Sequence, residues 1–290
     1  MNKGLLLAAL SAILYGSLGY FGISLRNKGM SVEVFCFWRF VVSTLCLLPF
    51  LPSVIKQRRD TWRGFGFAFI LGLLFYSLGA YLYFLACPYI GSGLAMVLFF
   101  TYPLFVIFIT GFMQRIRPNS VTLISCALIL IGCVLIAWQK DMHWDYRGVS
   151  LALFAALGYA LYVAMSKNVG SPVSPLMGTF AVCLGNSLFF ALLIPFTHQN
   201  YFYPLDLEVI VLVLALAIGA TILPVLFLLQ SLKYISPNIA SMISVCEPVI
   251  SMAVSYYFLK EPVTGLQILG AIPILLGASL VICYKSRGAS

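Results

Sequence analysis

The longest stretch of the chain without a charged side chain runs from residue 64 to residue 114, between Arg63 and Arg115. Its 51 residues are about twice the ~20 that a helix needs to cross a bilayer. Of all 290 residues, 62% are hydrophobic and 9% are charged, whereas a soluble domain carries roughly 25% charged residues. The sequence therefore predicts an integral membrane protein. Its apolar runs contain Gly and Pro, which is typical of helical spans and not of a membrane β-barrel.

Charges and clusters of Pro, Gly and Asn divide the chain into ten predicted spans. They cover approximately residues 4–24, 32–51, 64–84, 90–112, 118–138, 148–166, 174–196, 208–230, 236–259 and 262–283. The N-terminal apolar run continues to Leu25, which favours a first spanning helix over a signal peptide. The connections are short, so we expect the function to reside within the membrane.

The basic residues predict the orientation, because Lys and Arg are enriched in cytoplasmic loops. With the N-terminus in the cytoplasm, 11 of the 17 basic residues lie on the inner side and five on the outer side, and Arg39 lies inside a span. The sequence thus predicts a multi-pass protein of the cytoplasmic (inner) membrane with both termini in the cytoplasm. The net charge of +9 follows from this topology, so we expect membrane lipids and no nucleic acid as partners. The inner set is Lys3, Lys56, Arg58, Arg59, Arg63, Arg115, Arg117, Lys167, Lys233, Lys285 and Arg287, and the outer set is Arg26, Lys28, Lys140, Arg147 and Lys260.

The two halves of the chain are related by an offset of 145 residues. Tyr89-Ile90 corresponds to Tyr234-Ile235, Pro103 to Pro248, and Gly132 to Gly277. Five spans per half is an odd number, so the second half is inverted relative to the first. Inverted repeats with interrupted helices near the bilayer midplane are a recurring architecture of secondary transporters. Proline bends a helix and frees a carbonyl that lipid cannot satisfy, so Pro103, Pro224 and Pro248 are predicted to face a cavity and to act in helix breaking or gating.

Several short motifs, in this order, carry a resemblance to a known family. They are Ser11-Ala12 to Tyr15-Gly16, Arg39-Phe40, AALGYALYVAMSK (155–167), Tyr234–Pro248 with its Glu-Pro, Leu259-Lys260-Glu261 and LGAIPILLGASL (269–280). On these motifs the chain resembles the EamA branch of the drug/metabolite transporter superfamily. It departs at Gln114-Arg115-Ile116-Arg117, where a glutamate like Glu261 is usual.

The resemblance implies ten helices in two repeats, at 1–140 and 141–290. It also implies alternating-access transport of a small organic metabolite, with an amino acid or derivative preferred. The residues suggest no enzyme: the two histidines, His143 and His198, lie in predicted outer loops, and the sequence has no phosphate-binding or hydrolase motif. We expect no cofactor, no metal and a monomer.

Glu247 is the sharpest candidate for a functional residue, because a charge at the bilayer centre costs on the order of 3 kcal/mol and should face the bundle interior. Three roles are open. The carboxyl can carry a coupling proton, bind an ammonium group of the substrate, or only cap backbone groups freed by Pro248. Arg39 is a candidate anion contact, with snorkelling to the outer interface or bracing of a neighbouring helix as alternatives.

The remaining candidates for substrate contact are glycines and deep tyrosines. Small residues allow close helix packing, and deep phenols give an apolar wall whose hydroxyl needs a partner. The predicted cavity is lined by the first, third, fourth, sixth, eighth and ninth spans. The residues are Tyr15, Gly16, Gly19, Tyr76, Gly79, Tyr102, Tyr159 and Tyr162, together with Glu247.

Two other functions remain open at this point. Tyrosines around one carboxylate also suit a quaternary-ammonium or sulfonium solute, which the protein would take up or exchange. A membrane enzyme or lipid-handling protein would need clustered polar residues at one interface, and the sequence shows none.

Overall fold

The chain folds into helices, several of which are interrupted within the membrane. The computed structural model describes residues 3–52, 62–115, 119–138, 144–169, 173–197, 199–201, 206–260 and 262–287, and no β-strand occurs among them. Within these ranges nine helical stretches are long and apolar enough to cross a membrane. One of them, Trp62–Phe99, has 38 residues and holds the third span and the first half of the fourth. The helix Tyr102–Gln114 completes the fourth span, which confirms the predicted all-helical fold of ten spans.

The first half of the chain contains five spans. The third and fourth spans are separated by a kink at Gly91 and not by a loop; its φ of 76° is one that glycine adopts without strain. The helices are Lys3–Gly16, Leu18–Asn27, Val32–Leu47, Trp62–Ile70, Ser77–Phe99, Tyr102–Gln114 and Ser120–Ala137, with a π-helical turn at Leu71–Tyr76 and a 3₁₀ turn at Leu48–Phe50.

The second half contains the other five spans and repeats two of these interruptions, the π-helical turn of the third span and the break of the fourth. Its helices are Tyr146–Val169, Pro175–Thr197, Leu207–Ala217, Leu223–Ser231, Pro237–Ser244, Glu247–Val254 and Gly265–Arg287, with π-helical turns at Ile218–Ile222 and Ser255–Leu259. Several residues used in the predictions lie outside the described residues: Lys56, Arg58, Arg59, Arg117, Lys140, His143, His198 and Glu261, as does the predicted repeat boundary at 140/141.

Equivalent contacts join the two halves. A Cβ added to Gly4 would lie 2.7 Å from the Cβ of Tyr234, and one added to Gly148 would lie 2.7 Å from the Cβ of Tyr89. Tyr89 and Tyr234 are 145 residues apart. The first span therefore packs on the start of the ninth, and the sixth span packs on the start of the fourth.

The fifth and tenth spans form a close seam. A Cβ on Gly132 would lie 2.5 Å from the carbonyl oxygen of Gly270, and a Cβ on Gly277 would lie 2.7 Å from that of Ser125. Such approach is possible only for glycine, which lets two helix backbones touch.

Candidate functional site

The fourth and ninth spans are broken at equivalent places. One helix ends at Phe99 and the next begins at Tyr102, while in the ninth span the corresponding residues are Ser244 and Glu247. Each end residue lies four positions before a proline. Because the proline ring clashes with the carbonyl of residue i−4 and proline has no N–H, a helix stops at that place. Glu247 is thus the first residue after the break, and Tyr102 is its counterpart.

The two broken helices cross and are closed against each other at one end of the bundle. The Tyr102 hydroxyl donates to the carbonyl of Ser241 at 3.1 Å, and the Thr110 hydroxyl donates to the side chain of Asn238 at 2.6 Å. The first span adds a bond from the Ser11 hydroxyl to the Pro224 carbonyl, at 2.8 Å. Lys233 and Arg115 lie at this end of the bundle, which we call the closed end.

A cavity of about 790 Å³ occupies the other half of the bundle. It runs from the exposed residues Arg26 and Ser92 at the open end to the buried Tyr76 near the middle of the third span. Its walls come from the first, second, third, fourth, sixth and ninth spans. The residues that line it include Tyr15, Gly19, Phe35, Arg39, Tyr76, Tyr83, Phe84, Met96, Phe99, Phe100, Tyr159, Glu247 and Pro248.

Three tyrosines meet at the deep end of the cavity. The hydroxyls of Tyr15 and Tyr76 are 3.3 Å apart, and the rings of Tyr76 and Tyr159 are 5.8 Å apart in an edge-to-face arrangement. Edge-to-face contact between aromatic rings is favourable and fixes their orientation. The deep end is therefore a rigid aromatic surface that carries hydroxyl groups.

Arg39 is buried beside these tyrosines, with 2% of its surface exposed. Its Nε donates to the Thr221 hydroxyl at 2.7 Å, and its Nη2 donates to the Tyr76 hydroxyl at 3.3 Å and to the Ala220 carbonyl at 3.2 Å. Ala220 lies four positions before Pro224, whose missing N–H leaves this carbonyl without its α-helical donor. The guanidinium thus braces the interrupted eighth span and does not snorkel to the interface.

The same guanidinium also faces the cavity. Arg39 is one of the lining residues, and its Nη1 has no hydrogen-bond partner within the described ranges. An arginine head group with one nitrogen free is a strong donor for a carboxylate. Arg39 therefore has the chemistry to bind an anion from the cavity while it braces the eighth span.

Glu247 lines the same cavity and is half-buried. Within the described part of the chain its carboxylate has neither a hydrogen-bond nor an ion-pair partner, and Arg39 does not form an ion pair with it. The capping of backbone groups that was considered for this side chain is thus not seen. An unpaired carboxylate that faces a cavity is available to a cationic group or to a proton.

A buried hydroxyl accompanies two of the three described π-helical turns, Leu71–Tyr76 and Ile218–Ile222. The Ser77 hydroxyl lies 2.7 Å from the Gly72 carbonyl and 2.8 Å from the Asn186 side chain. The Thr221 hydroxyl equivalently donates to the Leu216 carbonyl at 3.0 Å and accepts from Arg39. Each hydroxyl lies at a carbonyl five positions earlier, the spacing of a π-turn, and the Gly72 carbonyl also accepts the backbone N–H of Ser77.

The structure brings together part of the predicted set. Tyr15, Gly19, Tyr76, Tyr159, Arg39, Glu247 and Pro248 line the cavity.

The other candidates lie away from it in this conformation. Tyr102 and Tyr162 are 1% and 0% exposed, and Pro103 and Pro224 are buried elsewhere. Gly16 packs against Ile250, and Gly79 packs against the backbone of Ala155. The lining expected from the eighth span is instead supplied by the second span, because the eighth span packs behind Arg39.

Sequence reasoning did not select several residues of the site. Phe35, Met96 and Phe99 line the cavity, but they are ordinary apolar residues in an apolar chain. Thr221 and Asn186 act behind it. Pro224 frees the Ala220 carbonyl and so signals a buried donor nearby, but that donor is Arg39, while Thr221 accepts from Arg39 and donates to Leu216.

Comparison with known proteins relates the chain to transporters. The model of the EamA-like transporter family matches residues 2–138 and again residues 146–283. An uncharacterized transporter of Clostridium kluyveri is 25% identical over 304 residues, which cover 99% of this chain and 94% of that protein. The threonine/homoserine exporter RhtA of Escherichia coli (strain K12) is 29% identical over 225 residues, 75% of this chain and 74% of its own.

The fold is also present among solved structures. A crystal structure that is 16% identical in sequence superposes with a TM-score of 0.82 over 99% of both chains. That similarity supports the fold, and the two matches to the family model cover nearly all residues of both halves. The chain belongs to the EamA-like transporter family.

Proposed function

We propose that this protein is a secondary transporter of amino acids or close derivatives, and that the substrate binds as a zwitterion between Arg39 and Glu247. The observation that carries this proposal is that a guanidinium with a free nitrogen and an unpaired carboxylate line one cavity without pairing to each other. A zwitterion supplies one group for each, the carboxylate for Arg39 and the ammonium for Glu247. The buried Arg39 and the half-buried Glu247 are then both compensated, which removes the energetic cost of leaving the two charges unpaired.

The rest of the lining favours a substrate with an uncharged side chain. Phe35, Phe84, Phe99 and Met96 form an apolar surface around the two charges. A further charge on the substrate would have no partner there, and it would lose its hydration on binding. A volume of about 790 Å³ admits a bulky aromatic or aliphatic side chain as readily as a small one.

The asymmetry of the structure supports alternating access. The cavity is open at the end with Arg26 and Ser92, and the other end is closed by the bond from Tyr102 to Ser241. The excess of basic residues predicts that the closed end is cytoplasmic and that the protein lies in the cytoplasmic membrane. The structure then represents an outward-open state. The moving units are the two repeats, 1–140 and 141–290, within a monomer.

The named relative adds chemical support. RhtA of Escherichia coli is a threonine/homoserine exporter by name, and both compounds are neutral amino acids with a free carboxylate and ammonium. In an exporter an outward-open state is the one that releases substrate.

A ligand screen on purified protein tests this proposal. Ligands that bind only the folded state raise the melting temperature by mass action. Neutral amino acids should raise it, and choline and simple carboxylates should raise it less, because each of these carries only one of the two groups. A larger shift with choline than with any amino acid would contradict the proposal and favour a quaternary-ammonium or sulfonium solute bound by Tyr15, Tyr76 and Tyr159.

A further inference from the structure

The contact that closes the cytoplasmic half has an equivalent in the open half that has not formed. At the closed end, Tyr102 donates its hydroxyl proton to the Ser241 carbonyl. The 145-residue offset relates Tyr102 to Glu247 and Ser241 to Met96. Glu247 and Met96 both line the open cavity, with no hydrogen bond between them. The equivalent closing contact therefore joins the Glu247 carboxyl to the Met96 carbonyl.

The backbone differs between the two halves at this point. In the open half, the Phe100 N–H still donates to the Met96 carbonyl at 2.9 Å. In the closed half, the Val245 N–H donates to the Ile243 carbonyl, and the Ser241 carbonyl accepts from Tyr102 instead. The carbonyl in the last turn before the break thus has a different donor when its half is closed.

The two equivalent donors differ in one chemical respect. A phenol always carries a proton that it can donate, whereas a carboxyl can donate only when it is protonated. An ionised Glu247 brought against the Met96 carbonyl would place a negative charge beside a carbonyl oxygen, with no donor between them. Closure of the open half over an empty site is unfavourable in that state.

We propose that Glu247 is the proton site that couples transport, and that its protonated carboxyl closes the outer half by donating to the Met96 carbonyl. This inference deepens the proposed function and rests on it for the identity of the exchanged solute. When substrate is bound, its ammonium neutralises the carboxylate. When no substrate is bound, a proton on Glu247 neutralises the carboxylate instead. One proton bound from outside is released inside when a substrate ammonium displaces it, so one proton enters for each zwitterion exported.

Among the ionisable groups around Glu247, only Glu247 itself changes its charge with pH. The surrounding groups are Arg39 of the second span, Tyr76 and Tyr83 of the third, Tyr102 of the fourth and Tyr159 of the sixth, and Tyr15 of the first span lines the same cavity. An arginine stays charged and phenols stay neutral over the physiological pH range. A pH-dependent closure of the cavity can thus be assigned to Glu247.

The test measures closure without any substrate, so its failure is distinguishable from failure of the proposed function. A reporter cysteine replaces Ser92, which is exposed at the cavity mouth and whose counterpart, Pro237, is buried in the closed half. The eight native cysteines are replaced, and the rate of labelling by a maleimide is measured between about pH 5 and pH 9. Ser120→Cys, at an exposed position away from the cavity, corrects for the intrinsic pH dependence of the thiol.

The parent should label more slowly at low pH, by about tenfold after correction, a typical allosteric coupling. Glu247→Gln carries an amide donor at every pH, so it should label at the slow rate throughout. Glu247→Ala carries no donor, and its labelling should not depend on pH. A parent whose corrected rate is constant, or a Gln variant that titrates as the parent does, would overturn the proposal.

Discussion

Gly132→Ala tests the seam between the fifth and tenth spans. The added Cβ would lie 2.5 Å from the Gly270 carbonyl oxygen, 2.6 Å from Ile274 Cγ1 and 3.0 Å from the Ile274 nitrogen. Ordinary contacts begin near 3.4 Å, so the closest pair is too short by about 0.9 Å. Two of the three atoms are backbone, and neither can rotate away. The two helices must move apart, and overpacking of this kind destabilises a protein by about 1–3 kcal/mol.

Gly66→Ala is the matched control, because nothing lies within 4 Å of a Cβ at that position. Alanine is the better helix former by up to about 1 kcal/mol, so this variant should be as stable as the parent or slightly more stable. Unfolding in SDS titrations, and melting in a mild detergent, should therefore place Gly132→Ala below Gly66→Ala. Equal stability of the two alanine variants would refute the close seam.

Three further predictions concern the topology, the closed end and the bracing of the eighth span by Arg39. A cysteine at Ser92 should be labelled from outside intact cells and one at Arg115 only after permeabilisation; the reverse pattern would invert the assigned orientation. Tyr102→Phe removes a hydrogen bond worth about 1 kcal/mol, so amide exchange in residues 237–244 should become several-fold faster, and unchanged exchange would show that the hydroxyl does not hold the closed end. Thr221→Val removes the acceptor of Arg39 Nε, one of three acceptors of the buried guanidinium, and should lower stability by about 1.5–3 kcal/mol, measured by unfolding in SDS; a stable variant would contradict the bracing role of that contact.

The breaks in the fourth and ninth spans were predictable from sequence because a local chemical rule determines them. The helices before Pro103 and Pro248 end four residues ahead of them, as the clash with the i−4 carbonyl favours, although Pro88, Pro195 and Pro273 lie within continuous helices. Glu247 and Arg39 were also identifiable, because a charge within a span has few stable environments. The ten spans were predictable because a helix that crosses a bilayer needs a long apolar run, which hydropathy detects.

The lining of the cavity could not be predicted from sequence. In a membrane protein, residues that face lipid and residues that face the core are both apolar, so the sequence pattern does not separate them. Phe112 is 88% exposed and Phe35 is 1% exposed, yet nothing in their sequence neighbourhoods indicates which faces inward. Tertiary packing also decides that the second span replaces the eighth in the lining, and which end of the bundle is open.

We propose that Arg39 and Glu247 bind the two charged ends of one amino acid. The most direct test is a cycle of variants and ligands. The neutral amino acid that binds most tightly in the screen is compared with its amine, which lacks the carboxylate, and with the carboxylic acid that lacks the ammonium. Dissociation constants are measured for the parent, Arg39→Gln and Glu247→Gln. Glu208→Gln removes an exposed carboxylate outside the cavity, where it pairs with Lys28, and serves as the control.

Arg39→Gln should weaken binding of the amino acid and of the acid by about 10- to 150-fold, the equivalent of one charged hydrogen bond of about 1.5–3 kcal/mol. It should leave the amine unchanged, which also shows that the site is still folded. Glu247→Gln should weaken the amino acid and the amine and leave the acid unchanged, and Glu208→Gln should change none of the three. If each cavity variant weakens all three ligands equally, or none of them, then Arg39 and Glu247 do not recognise the two ends of the substrate.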